Sequence, residues 1–121
     1  MNLILIFAGL LFKHFLCDFP LQTHYQFGNK GTYGHKGGVL HASIHAVGTL
    51  CVLAFVTSVE QAMMLAALEG VIHYHIDWAK NKLNKRLNLT PASGSYFWVL
   101  FGFDQFLHHM TYVLIIWLLV R

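Results

Sequence analysis

Nine histidines and five acidic residues lie in a chain of 121 residues, and most of them fall into pairs with one spacing. His14 precedes Asp18 by four positions, His41 precedes His45, His73 precedes Asp77, and Asp104 precedes His108. Residues four apart share one face of an α-helix, about one turn from each other. Imidazoles and carboxylates converging from several helices are the donor set of a divalent metal, with zinc favoured and iron or manganese as alternatives. One tetrahedral ion takes three or four protein ligands, so eight candidates leave a surplus. That surplus fits a second ion, or partners that orient the ligands. Glu69, one turn before His73, extends its face to the column Glu69-His73-Asp77.

The elements that must carry these pairs are apolar. The composition is 56% hydrophobic and 15% aromatic, with 11% charged residues, against about 25% charged in soluble domains. It predicts an all-α integral membrane four-helix bundle formed by one domain, residues 1–121. Spans are expected at about 3–19, 39–57, 59–78 and 96–120, with the third helix prolonged to about residue 87 by its lysine-rich continuation. Pro20 ends the first span, since proline donates no N–H and disfavours helix before it. The first connection, Leu21 to Gly38, reads as a polar, glycine-bearing loop in which His24 and His35 are solvated. Ser58 and Gln61 suggest a capping box, and Thr90-Pro91 a helix start. Cys17 and Cys51 read as small buried hydrophobes.

Lys30, Lys36, Lys80, Lys82, Lys85 and Arg86 all fall in the first and third connections. By the positive-inside rule those connections are cytoplasmic and both termini lie on the other side. All four pairs then fall in the cytoplasmic half of the bilayer. The net charge of +3 concerns orientation and anionic headgroups, and no nucleic-acid-binding pattern is present.

Ionised carboxylates inside a bilayer are costly, so Asp18, Glu69, Asp77 and Asp104 need protons, mutual pairing or a metal. With a metal present, Glu69 or Asp104 is the candidate proton acceptor for catalysis. Lys30, Lys36, Lys80, Gln22 and Gln105 are the candidates for binding a substrate's polar head. The partners expected are the lipid bilayer and an amphiphilic small molecule, with a homo-oligomer open. His75 and His109 project away from their neighbours. A buried polar network, a cation or proton path, haem ligation and a non-catalytic membrane protein use the same residues and stay open as alternatives.

The ordered motifs His14-x3-Asp18-Phe19-x2-Gln22, Lys30, His41-x3-His45, His73-x3-Asp77-x2-Lys80 and Asp104-Gln105-x2-His108 resemble a family of small bacterial and phage integral membrane proteins catalogued as a domain of unknown function. There is a looser likeness to membrane-bound metal-dependent hydrolases. The resemblance implies a multi-span helical protein of the bacterial inner membrane and transfers no activity. The expectation taken forward is a metal-dependent hydrolase acting on a lipid-like or phosphorylated substrate at the cytoplasmic leaflet.

Overall fold

A computed structural model describes residues 1–121. Five α-helices and no strand make up the fold: α1 (Leu3–Asp18), α2 (His24–Asn29), α3 (Lys36–Leu53), α4 (Val59–Arg86) and α5 (Ser95–Leu119), with a short 3₁₀ turn at Pro91–Ser93. The four long helices pack in a ring, α1 on α3, α3 on α4, α4 on α5 and α5 back on α1, while α2 lies on α3. The starts of α1, α2 and α4 have a local cause. Asn2 accepts hydrogen bonds from the amides of Ile4 and Leu5, Thr23 caps α2 through the Gln26 amide, and Ser58 caps α4 through the Gln61 amide. The capping box expected there is only half made, because the Gln61 side chain bonds Thr57 instead.

Two boundaries differ from expectation. Residues 24–29 form α2 inside the segment read as a loop, and α3 begins at Lys36 and ends at Leu53, earlier than 39–57 at both ends. The added helix and the early start of α3 come from the same place. His35 is not free in solvent: its Nδ1 accepts from the Gly37 amide at 3.0 Å and caps α3. A Cβ on Gly37 would stand 2.7 Å from the Tyr25 carbonyl oxygen and 2.9 Å from Asn29 Cβ, so glycine lets α2 lie directly on the start of α3.

On length and hydropathy, α3 and α5 qualify as membrane spans. Of the four spans expected, these two are the helices long and apolar enough to cross a membrane. Helix α1 has 16 residues, a rise of about 24 Å, and α4 carries the polar continuation through Lys80, Lys82, Lys85 and Arg86 without a break.

The distribution of side chains is inverted relative to a water-soluble domain. Phe55 is 91% exposed, Ile4 79%, Met64 71% and Val99 68%. The interior meanwhile holds two lysines, five histidines and four carboxylates, among them Lys13, His41, Glu69 and Asp104. The apolar interior is confined to one end, where Ile6, Leu10, Leu53, Leu65, Ile115 and Leu119 close on Tyr112. The polar half lies at the other end, beside the α1–α3 and α4–α5 connections.

Candidate metal centre

His41 sits one turn into α3, where α2 backs it. The Gln26 side-chain amide donates to the Leu21 carbonyl at 3.3 Å, which turns its own oxygen toward His41 Nδ1 at 3.1 Å. In the neutral ring Nδ1 must then donate, and Nε2 carries a lone pair. That lone pair faces two carboxylate oxygens, Asp18 Oδ1 at 3.1 Å and Asp77 Oδ2 at 3.3 Å. The contacts are close but lack hydrogen-bond direction, and His41 Nε2 is left without a partner. A lone pair against two anionic oxygens is repulsive unless a cation or a proton lies among them. A carbonyl holding the remote N–H is also how a metal-ligating histidine is usually oriented.

His73, one turn before Asp77 on α4, repeats the pattern. Its Nε2 is 3.3 Å from Asp77 Oδ2 and its Nδ1 3.4 Å from Glu69 Oε1, yet neither nitrogen makes a hydrogen bond. The ring is stacked between His45, 3.6 Å away centre to centre, and His108 at 4.1 Å. His108 Nε2 stands 3.5 Å from both Asp77 Oδ1 and Asp104 Oδ1, again unpartnered. Ligand atoms of Asp18, His41, His45 and His73 all lie within 4.8 Å of one another, and so do those of His73, Asp77 and His108. Around a tetrahedral ion with bonds of about 2.0–2.2 Å, neighbouring ligand atoms are about 3.3–3.6 Å apart. The His41–Asp77 and His73–Asp77 contacts match that spacing.

The remaining paired residues play different geometric parts. Lys13, buried on α1, donates to the His45 carbonyl and Glu69 Oε1, both at 3.1 Å, and approaches His45 Nδ1 at 3.4 Å. An ammonium only donates, so His45 Nδ1 accepts and its Nε2–H donates to Asp18 Oδ1 at 3.0 Å. His45 thus orients Asp18. His14 spends both ring nitrogens on Tyr112 Oη at 2.8 Å and on Gln105 Oε1 and Asp18 Oδ2 at 3.1 and 3.0 Å, and it belongs to neither ligand group.

Of the two expected proton acceptors, Glu69 is 1% exposed and fixed by Lys13, with Tyr112 Oη at 3.5 Å. Asp104 is placed differently: it lines a cavity of about 160 Å³ that also borders Asp18 and Asp77. Four of the five residues expected to hold a polar head, Gln22, Lys30, Lys80 and Gln105, line that same cavity. Lys30 reaches Asp77 Oδ2 at 2.9 Å and Lys80 reaches Asp104 Oδ2 at 3.5 Å. Lys36 does not join them; it is exposed at the first position of α3. His75 and His109 stay outside the centre, His75 bonded to Tyr33 and to the Val71 carbonyl.

Lys13, Gln26 and Tyr112 are the residues that reasoning from spacing missed. Lys13 did carry a signal, since an ionisable residue within an apolar run marks a functional position. Gln26 and Tyr112 carried none.

No curated protein and no solved structure matches this chain. Residues 6–121, nearly its whole length, match the family described as "Protein of unknown function (DUF3307)". The buried imidazole–carboxylate cluster is therefore set within a helical chain that belongs to the DUF3307 family.

Proposed function

We propose that this chain is an integral membrane protein holding one divalent metal ion, zinc first, between His41, His73 and Asp77. Asp18 and His108 stand ready to complete the set. The observation that carries the reading is His41 Nε2, a buried lone pair aimed between two carboxylates. What supports the bilayer placement is the inverted distribution of residues, polar within and apolar without, together with the length and hydropathy of α3 and α5. Buried charge on a helix bundle in lipid marks function by default. The lysine-bearing connections support a site on the cytoplasmic side with both termini opposite it.

Charge favours one ion over two. Four carboxylates (Asp18, Glu69, Asp77 and Asp104) face three ammonium groups (Lys13, Lys30 and Lys80). With neutral imidazoles the cluster carries one net negative charge, and one divalent ion reverses it to one positive. A second ion would leave three positive charges in a low-dielectric interior. A polar network without metal must instead protonate one imidazole to reach neutrality.

The reaction best suited to the site is hydrolysis of an ester or phosphoester in an amphiphile. A bound divalent ion supplies Lewis acidity and a more acidic coordinated water. Asp104 is the side chain placed to accept a proton at the cavity, and Lys30 and Lys80, with Gln22 and Gln105, hold the polar head there. Transport finds less support, because the interior beyond Tyr112 is sealed by apolar side chains. Haem finds less still, since the imidazoles touch one another and leave no slot for a macrocycle.

The test is elemental analysis of protein purified in detergent, paired with hydrolysis of phosphatidic acid and phosphatidylcholine in mixed micelles. One ion per chain and turnover abolished by Asp104→Asn, with the metal retained, are expected. A metal-free protein, or one as active after Asp104→Asn, would end the proposal.

A further inference from the structure

An outward-facing groove between α4 and α5, of about 530 Å³, runs against the candidate metal centre. Its walls are two apolar stripes. Ile72, Ile76, Ala79 and Leu83 recur on one face of α4, and Leu100, Phe103 and Leu107 on one face of α5. Such i, i+3, i+4, i+7 stripes in the interior of a bundle would be covered by a neighbouring helix. Here no helix lies over them, and Phe103 is 54% exposed.

Two charged side chains interrupt the apolar lining, Lys80 and Asp104. Both also line the polar cavity that borders Asp18 and Asp77. The groove and the site thus share a wall, and the shared wall is its charged part. From there the stripes run back along α4 through Ile76 and Ile72 and along α5 through Leu107, away from the polar connections. No other apolar recess of comparable size has this continuity. The one between α1 and α3, about 550 Å³, touches Lys13 at its side but none of the cavity residues Lys30, Lys80, Asp77 or Asp104.

We infer that the α4–α5 groove is the binding site for the hydrocarbon chain of an anionic, phosphate-headed lipid, whose head enters the cavity beside Lys80 and Lys30. The inference rests on the metal and bilayer placement proposed above and names the substrate class of that site. Its volume falls within the range of small-ligand sites, about 300–1,000 Å³. The cavity sets two ammonium groups, Lys30 and Lys80, against the carboxylates of Asp18, Asp77 and Asp104, so it is the divalent ion, which leaves the cluster with a net positive charge, that makes the head anionic. The chain enters laterally from the bilayer and needs no opening to water.

The experiment uses the full-length protein in nanodiscs doped with phosphatidic acid carrying a diazirine near the end of one acyl chain. Cross-links are mapped by mass spectrometry, and metal content is measured on the same samples. Labelling is expected to concentrate on Ile72, Ile76 and Leu107, at least fivefold above the α1–α3 recess. Ile76→Trp should reduce it tenfold or more without altering the metal stoichiometry. Ala79→Trp, on the exposed rim, serves as a second obstruction should Ile76→Trp fold poorly. The same diazirine on phosphatidylcholine should label the groove at least threefold less. Labelling spread evenly over the outward faces, or unchanged by both obstructions, or indifferent to the headgroup, overturns the inference. Metal absent while labelling stays confined to the groove would instead strike the metal reading and leave the groove standing.

Discussion

Replacing Lys13 by methionine removes the only cation that reaches the deep end of the polar cluster. Lys13 is 6% exposed and Glu69 1%, and their charged atoms are 3.1 Å apart. Truncating one partner of a buried ion pair leaves the other uncompensated, at a cost of about 3–5 kcal/mol. At about 1.36 kcal/mol per tenfold, the lower figure is more than a hundredfold in the unfolding equilibrium. The loss here also leaves the buried His45 Nδ1 that Lys13 contacts without a partner, so the upper half of the range is expected. The double variant Lys13→Met/Glu69→Gln withdraws both charges and keeps an acceptor for Tyr112. It should recover about 1–3 kcal/mol of that loss, the coupling expected of residues in one network. It also leaves three carboxylates against two lysines, so the predicted single metal ion is kept. The assay is reversible unfolding in mixed micelles, followed by helical circular dichroism, on wild type, both single variants and the double. Lys13→Met within 0.5 kcal/mol of wild type, or a double variant as unstable as the sum of the singles, would refute the assignment of Lys13 as the partner of Glu69.

The second sphere gives further predictions. Gln26→Leu removes the acceptor that holds His41 Nδ1–H and should weaken metal affinity about 10–100-fold, read by competition with a chromophoric chelator; an unchanged affinity would remove Gln26 from the site. Gly37→Ala forces a Cβ to within 2.7 Å of the Tyr25 carbonyl oxygen, and overpacking of this kind costs about 1–3 kcal/mol. It should also push α2, and with it Gln26 and Lys30, off the centre, so thermal stability and metal affinity should fall together. Lys80→Ala leaves the ligand atoms in place and removes a cavity cation, so KM for a phosphate-headed substrate should rise more than kcat falls. The reverse pattern in steady-state kinetics would place Lys80 in the chemical step.

What the chain disclosed on reading was its periodic part. The i, i+4 pairs on apolar helices follow from one geometric rule, and the alternation of helices with short connections carries them to one end. The late start assigned to α3 and the missing α2 were errors of the same kind. A six-residue helix has too few positions to show a period, and Gly37 and Gly38 read as loop residues until α2 is seen lying against them. Within the pairs, spacing could show which residues share a face but not how each ring nitrogen is used. His14 and His45 have the same spacing as His41 and His73, yet they differ in role because Tyr112, Gln105 and Lys13 occupy their nitrogens. Those partners come from helices 32 to 98 positions away, a distance over which no local pattern carries information. Lys36 and Lys30 show the same limit, one directed outward from α3 and the other turned into Asp77.

The central claim is that His41, His73 and Asp77 hold a common ion, and metal-edge X-ray data from crystals of the purified protein test it most directly. The expected result is one anomalous peak per chain with His41 Nε2, His73 Nε2 and an Asp77 oxygen at about 2.0–2.2 Å, absent after His41→Ala in protein that keeps its helical content. A map with no peak among these residues, with Lys30 and protonated imidazoles balancing the carboxylates instead, would contradict it.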